Sequence, residues 1–155
     1  MMTAAELFFN TRRQAVQTLT QRDTITAADV ATLRREVFAD GAVSRAEAEA
    51  LFDLERSANE KCAEWTPFFI EAITDHVVWQ VRPTGVVSAA QGEWLIEQAD
   101  ASRTLNAFAC LVNVLAEAHR VPLWFVAAVR ARAARGWPGT EIAIAAACAE
   151  MAMAA

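Results

Sequence analysis

The stretch Gly41-Ala42-Val43-Ser44-Arg45-Ala46-Glu47, followed by Leu51-Phe52, recurs in outline 44 residues later. There it reads Gly85-Val86-Val87-Ser88-Ala89-Ala90-Gln91, followed by Leu95-Ile96. Its core is an apolar residue, Ser or Thr, any residue, Ala, and an acid or amide. Two more copies stand at Met2-Thr3-Ala4-Ala5-Glu6 and Ile25-Thr26-Ala27-Ala28-Asp29. The layout is that of a helix N-terminus. The hydroxyl accepts a hydrogen bond from an orphan backbone N–H, and the acid or amide reaches back to the capping residue's own N–H. The leading apolar residue can staple to the residue after the acid, as Met2 to Leu7 or Ile25 to Val30. Each cap is worth about 1 kcal/mol. Four copies with one layout predict helix starts at Thr3, Thr26, Ser44 and Ser88. The longer agreement of two of them reads as a duplicated helix–loop–helix unit, although capping boxes also resemble one another by necessity.

Composition points the same way. Ala occurs 35 times in 155 residues, Gly only five times and Pro four. Ala is the best helix former, and Gly and Pro are the main breakers. The expectation is an all-α, single-domain bundle of about seven or eight helices spanning residues 1–155. The duplicated units cover approximately 26–62 and 67–100, with C-terminal helices over 104–153. In detail, helices are expected over 4–21, 27–38, 45–62, 67–80, 89–98, 104–119, 122–136 and 140–153. Pro67 disfavours helix at the residue before it, so Thr66 is expected to cap the fourth helix. Helix 104–119 is apolar on most faces and should be central.

Charge and hydropathy exclude several functions. With 55% hydrophobic residues the chain can bury a core and is not disordered. A net charge of −5 argues against a general nucleic-acid binder. The segment around Arg120-Val121-Pro122 mimics a helix-turn-helix, but its second helix opens with Leu123-Trp124-Phe125-Val126, which is unsuited to a DNA groove. No apolar run approaches the roughly 18 residues of a membrane span. The N-terminus lacks the basic region and long apolar core of a signal peptide. Cys62, Cys110 and Cys148 are odd in number, far apart and set among apolar residues, so buried thiols in a reducing cytoplasm are expected.

The run Asp40-Gly41-Ala42-Val43-Ser44-Arg45-Ala46-Glu47 resembles the second half of an EF-hand loop. An Asp-Gly ahead of a Ser/Thr–Glu helix start also resembles the TerB-like (tellurite-resistance B) helical family of bacteria. The resemblance runs from about Ile25 to Gly136. It implies an all-α bundle, bacterial and cytoplasmic, with metal binding as one property to test. The chain departs from a calcium loop, whose oxygen ligands stand at positions one, three, five, nine and twelve. Those positions hold Glu36, Phe38, Asp40, Ser44 and Glu47, and Phe38 cannot coordinate. The second unit holds Gln80, Arg82, Thr84, Ser88 and Gln91, with no carboxylate at all. Weak metal candidates are therefore Glu36, Asp40, Ser44 and Glu47, and the second loop is expected to hold no metal.

Other constellations point to structure more than chemistry. His76 and His119 lack metal-ligand spacing, and His119 suits the C-terminus of a helix, where a cation is favoured. No nucleophile elbow, phosphate loop or dinucleotide fingerprint occurs, so neither an enzyme nor a cofactor is expected. Glu60, Glu64, Glu71 and Asp75 read as a solvated acidic face. Residues 36–75 hold ten acids and three bases, while 101–139 hold one acid and five bases. Arg130, Arg132, Arg135 and Trp137 are the candidate interaction surface; the same arginines also suit a helix C-terminus. The function expected is a non-enzymatic helical interaction module of the TerB-like kind with a role in stress response. Its partner would be an unknown protein or a second copy. The alternative is a divalent-ion or small-ligand binder using the Asp40-Gly41 loop.

Overall fold

The computed structural model describes Thr3 and residues 18–19, 22–37 and 43–135, with side chains at 36 and 37 left aside. These residues are mostly helical. They form β1 (Thr24–Ile25), α1 (Ala27–Thr32) running into a π turn (Leu33–Val37), α2 (Arg45–Ser57) and β2 (Glu60–Lys61). Then follow α3 (Trp65–Thr74) with a second π turn (Asp75–Trp79), α4 (Ala89–Ser102), α5 (Leu105–Glu117) and α6 (Leu123–Ala134). The all-α class holds, with six α-helices among the described residues against the seven or eight expected. Of the helix expected over 4–21 only Thr18 and Leu19 are among the described residues, and both are helical; the helix expected over 140–153 lies outside them.

The capping motifs explain the starts. Thr26 closes a complete box: its hydroxyl accepts from Asp29 N–H at 3.2 Å, and Asp29 accepts from Thr26 N–H at 2.9 Å. Ser44 and Ser88 accept from Glu47 N–H and Gln91 N–H, each at 3.2 Å. Thr104 does the same for Ala107 at 3.1 Å. The start of the helix that Thr3 would cap is outside the described residues. The reciprocal arm is where the expectation fails. Glu47 accepts from the Ser44 hydroxyl itself, at 3.1 Å, and the Gln91 amide oxygen is taken by Arg45 at 3.0 Å.

Both unit-like stretches run strand, helix, π turn and, further along, a capped helix. Their strands lie side by side: β1 and β2 pair in parallel, Thr24 with Glu60 and Ile25 with Lys61. That pairing corrects the expected third helix. It stops at Ser57 rather than Cys62, because Glu60 and Lys61 extend to meet β1 and Cys62 N–H donates to Ile25 O at 3.0 Å. The fourth helix is also corrected. It begins at Trp65, its N-cap position Glu64 makes no side-chain cap, and Thr66 lies inside it. The Thr66 hydroxyl instead donates to Asn106 Oδ1 at 3.1 Å on α5. Pro67 is tolerated because a proline in the first turn removes an N–H that has no partner anyway.

One buried cluster joins β1, the helices and both π turns. Its largest members are Trp65, Phe52, Phe69 and Phe125, with Leu51, Leu54, Ile73, Leu95 and Leu111 around them. Phe52 sits edge-on to Phe69 at 5.1 Å and to Trp94 at 6.0 Å between ring centres. Leu51, Phe52 and Leu54 of α2, and Ala58 at its C-cap, are all buried. α5 is central, packing on α3, α4 and α6. Among the described residues no helix is long and apolar enough to cross a membrane.

Candidate functional site

The entrance to α2 and the second π turn meet at one joint. The Val43 N–H donates to Gln80 Oε1 at 2.6 Å, and the Val43 carbonyl accepts from His76 Nδ1 at 2.8 Å. An imidazole nitrogen facing a carbonyl must carry the proton, so Nε2 is the bare nitrogen. Nε2 is buried and has no hydrogen-bond partner. The ring stands edge-on to Trp94 at 5.3 Å. Trp94 donates through Nε1 to Glu49 at 3.0 Å, and the Arg45 guanidinium lies 5.1 Å over its ring. Burial pushes the His76 pKa below its usual 6.5, and Arg45 adds to that; the Val43 bond and Glu49 oppose it.

This joint contains two of the four metal candidates. Ser44 is the N-cap, and Glu47 is buried in the first turn of α2 with its carboxylate on the Ser44 hydroxyl. Glu36 lies in the first π turn, and Asp40 lies outside the described residues. Ser44 thus serves as the cap of α2, while Glu47 holds the Ser44 hydroxyl with one oxygen and leaves Oε2 buried without a hydrogen-bond partner. Among the described residues, no group of three or more His, Cys, Asp or Glu side chains could hold a metal ion.

The interaction candidates divide. Arg132 forms a two-pronged pair with Asp100 on α4, at 2.7 and 2.6 Å, and so clamps α6 to the bundle. Arg130 and Arg135 are exposed, and Trp137 lies outside the described residues. A different feature was missed in the sequence. Leu123 is 88% exposed and Trp124 41%, both in the first turn of α6. Only Phe125 and Val129 of that helix are buried. Along one line of α6 the exposed residues are Leu123, Ala127, Arg130 and Ala134, apolar but for Arg130. Trp124 leans on Gly92 of α4, where a Cβ would come within 3.0 Å of the indole.

The other missed feature is Glu55, a carboxylate only 1% exposed. Its Oε2 accepts from Trp65 Nε1 at 2.6 Å and from Asn106 at 3.2 Å, while Oε1 faces Lys61 Nζ at 3.5 Å. The one lysine of the chain therefore neutralises a core acid, and α2, β2, α3 and α5 are tied through it. Cys110 beside it is fully buried and its thiol pKa is pushed well up by that burial; Cys62 is half-buried and raised in the same sense. Neither is placed for thiolate chemistry. Cys148 lies outside the described residues.

His119 stands just beyond the C-terminus of α5. α5 ends at Glu117, and His119 follows it in the turn, where its N–H donates to Gly85 O at 2.7 Å and its ring meets Trp79 edge-on at 5.8 Å. Of the four acids, Glu60 and Glu64 sit outside the helix, and Asp75 is half-buried between Glu71 and Glu117. The single solvated stripe is replaced by exposed Glu60, Glu64 and Glu71 on different elements.

The geometry defines an all-α protein with a capped-helix joint and an apolar helix end at its surface. Compared with protein-family models, with curated proteins and with solved structures, the chain matches none of them.

Proposed function

We propose that this chain is a non-enzymatic helical binding module of the TerB-like kind, with a role in stress response, that docks a protein partner on α6. The observation that carries the reading is Leu123, 88% exposed at a helix start beside the half-exposed Trp124. Scattered surface apolars need no explanation, but a leucine this bare next to a tryptophan in a partly unpacked helix marks a contact site. Arg130 further along α6 and Arg135 at its C-cap favour a partner with an apolar segment flanked by acids. The cytoplasm, where bacterial stress proteins of this kind act, is the proposed compartment.

The test compares the whole chain with Leu123→Asp and with Arg130→Glu/Arg135→Glu in co-purification from a bacterial host. A partner held by the parent and lost in both variants, at unchanged melting temperature, supports the reading. A partner set indifferent to all three substitutions sinks it. A melting temperature raised by calcium, magnesium or zinc would favour ion binding at the Asp40-Gly41 loop instead.

A further inference from the structure

α6 ends at Ala134, and the chain goes on through Gly136-Trp137-Pro138-Gly139 into a run that lies outside the described residues. A glycine just past a helix and a Pro-Gly pair are stop and turn signals, and links of this length join antiparallel neighbours. From Thr140 to Met153 there is no Gly or Pro, and Glu141 and Glu150 are the only charges. As a helix those residues measure about 21 Å at 1.5 Å per residue, against about 18 Å for the 12 residues of α6. A return along α6 therefore reaches its far end, where Leu123 is 88% exposed.

We propose that residues 140–153 fold back as a helix on the outer line of α6 and cover it within the same chain, so that a partner docks by displacing them. The spacings of the two segments fit each other. The outer line, Leu123, Ala127, Arg130 and Ala134, steps by four, three and four. The run carries Glu141, Ile144, Cys148 and Met151 at three, four and three. Reversed about Trp137, the two lines meet within one residue at every layer. Met151 falls on Leu123 beside Trp124, where a thioether suits an aromatic edge. Cys148 falls on Ala127, two small side chains that let the helices approach closely. Glu141 comes down on Ala134 next to Arg130, so the acid that opens the run meets the exposed base of the line. A run this apolar needs cover itself, and a four-residue link holds it beside α6 at a higher effective concentration than any free partner has. What the cover regulates rests on the reading of α6 as a docking site; the cover itself does not.

The experiment uses the native Cys148. In the reversed register it faces Ala127, which is exposed, so Ala127→Cys in the full chain should be tolerated. Two helices about 8 Å apart bring facing Cα atoms within the roughly 4.4–6.8 Å of a disulfide. Oxidised glutathione should then join the new thiol to Cys148 within one chain, read by peptide mass mapping. Glu141→Arg added to it should slow the closure about three-fold, and Arg130→Glu on top should restore it. Ala116→Cys, exposed on α5, is the control. Closure no faster than in that control overturns the proposal, and so does a disulfide between chains, which would make a second copy the occupant. For access, Met151→Asp in the parent should raise the fluorescence of anilinonaphthalene sulfonate about two-fold or more, and Leu123→Asp added to it should remove the gain. Dye binding that ignores Met151→Asp overturns the displacement. Partner capture by the Leu123→Asp chain decides the docking reading by itself, whatever the disulfide does.

Discussion

His76 donates through Nδ1 to the carbonyl of Val43 at 2.8 Å, across 33 residues of sequence, and so ties the second π turn to the doorway of α2. The bond fixes the neutral tautomer and leaves Nε2 against apolar and aromatic surroundings. Charging the ring would place a second cation near Arg45, with Glu49 as the compensating acid.

Stability should therefore fall in mild acid. The folded-state pKa of His76 is lowered from 6.5, so the unfolded chain takes the proton first. The contribution is fully present above about 6.5, is lost as pH drops through that value, and levels off once the native ring is also protonated. His76→Gln keeps a donor for Val43 but cannot titrate. Melting curves of parent and variant should converge or cross between pH 7 and about 5. Curves that stay parallel would remove His76 from the account.

Asp75 should behave in the opposite sense. Burial raises its pKa from 3.8, and Glu71 and Glu117 raise it further. The native state thus holds this proton more tightly than the unfolded chain does. The stabilisation is present at acid pH and is lost as pH rises through the native value. Asp75→Asn should raise the melting temperature at pH 7 and give little gain near pH 3. Equal gains at both values would point to packing instead of charge.

Gly85 is required twice over. Its φ is +81°, and a Cβ there would stand 2.4 Å from Cδ2 of His119. Gly85→Ala should cost about 1–2 kcal/mol for the left-handed backbone, plus the clash. Adding His119→Ala should relieve the clash and leave the backbone cost. Denaturant titration of the single and double variants separates the two, and no recovery at all would mean that the ring simply moves aside.

Glu55 and Lys61 should be strongly coupled. Lys61→Met leaves a core carboxylate with only the neutral donors Trp65 and Asn106, at a cost of up to about 3 kcal/mol. Glu55→Gln alone should cost less, since the amide oxygen still accepts from Trp65. The double variant should be more stable than the sum of the singles predicts. Additive costs in chemical denaturation would show that the lysine contributes nothing to the burial of Glu55.

Local chemistry made the helix starts readable. Thr26, Ser44 and Ser88 cap helices because a hydroxyl and an N–H three residues on meet wherever that tetrapeptide turns, whatever surrounds it. Alanine content and scarce breakers made the helical class readable for the same reason. Choices that depend on distant partners were not readable. Gln91 turns from its own cap to Arg45, Thr66 from capping to Asn106, and Arg132 from the surface to Asp100, because in each case a stronger or better-placed partner arrives from another helix. The burial of Glu55 depends on Lys61 being carried back by a two-residue strand pairing that leaves no periodicity in so short a run. The exposure of Leu123, Leu105 and Val112 has the same origin. An apolar residue tells which side of a helix prefers cover, but whether cover is there depends on which neighbours the fold brings to it.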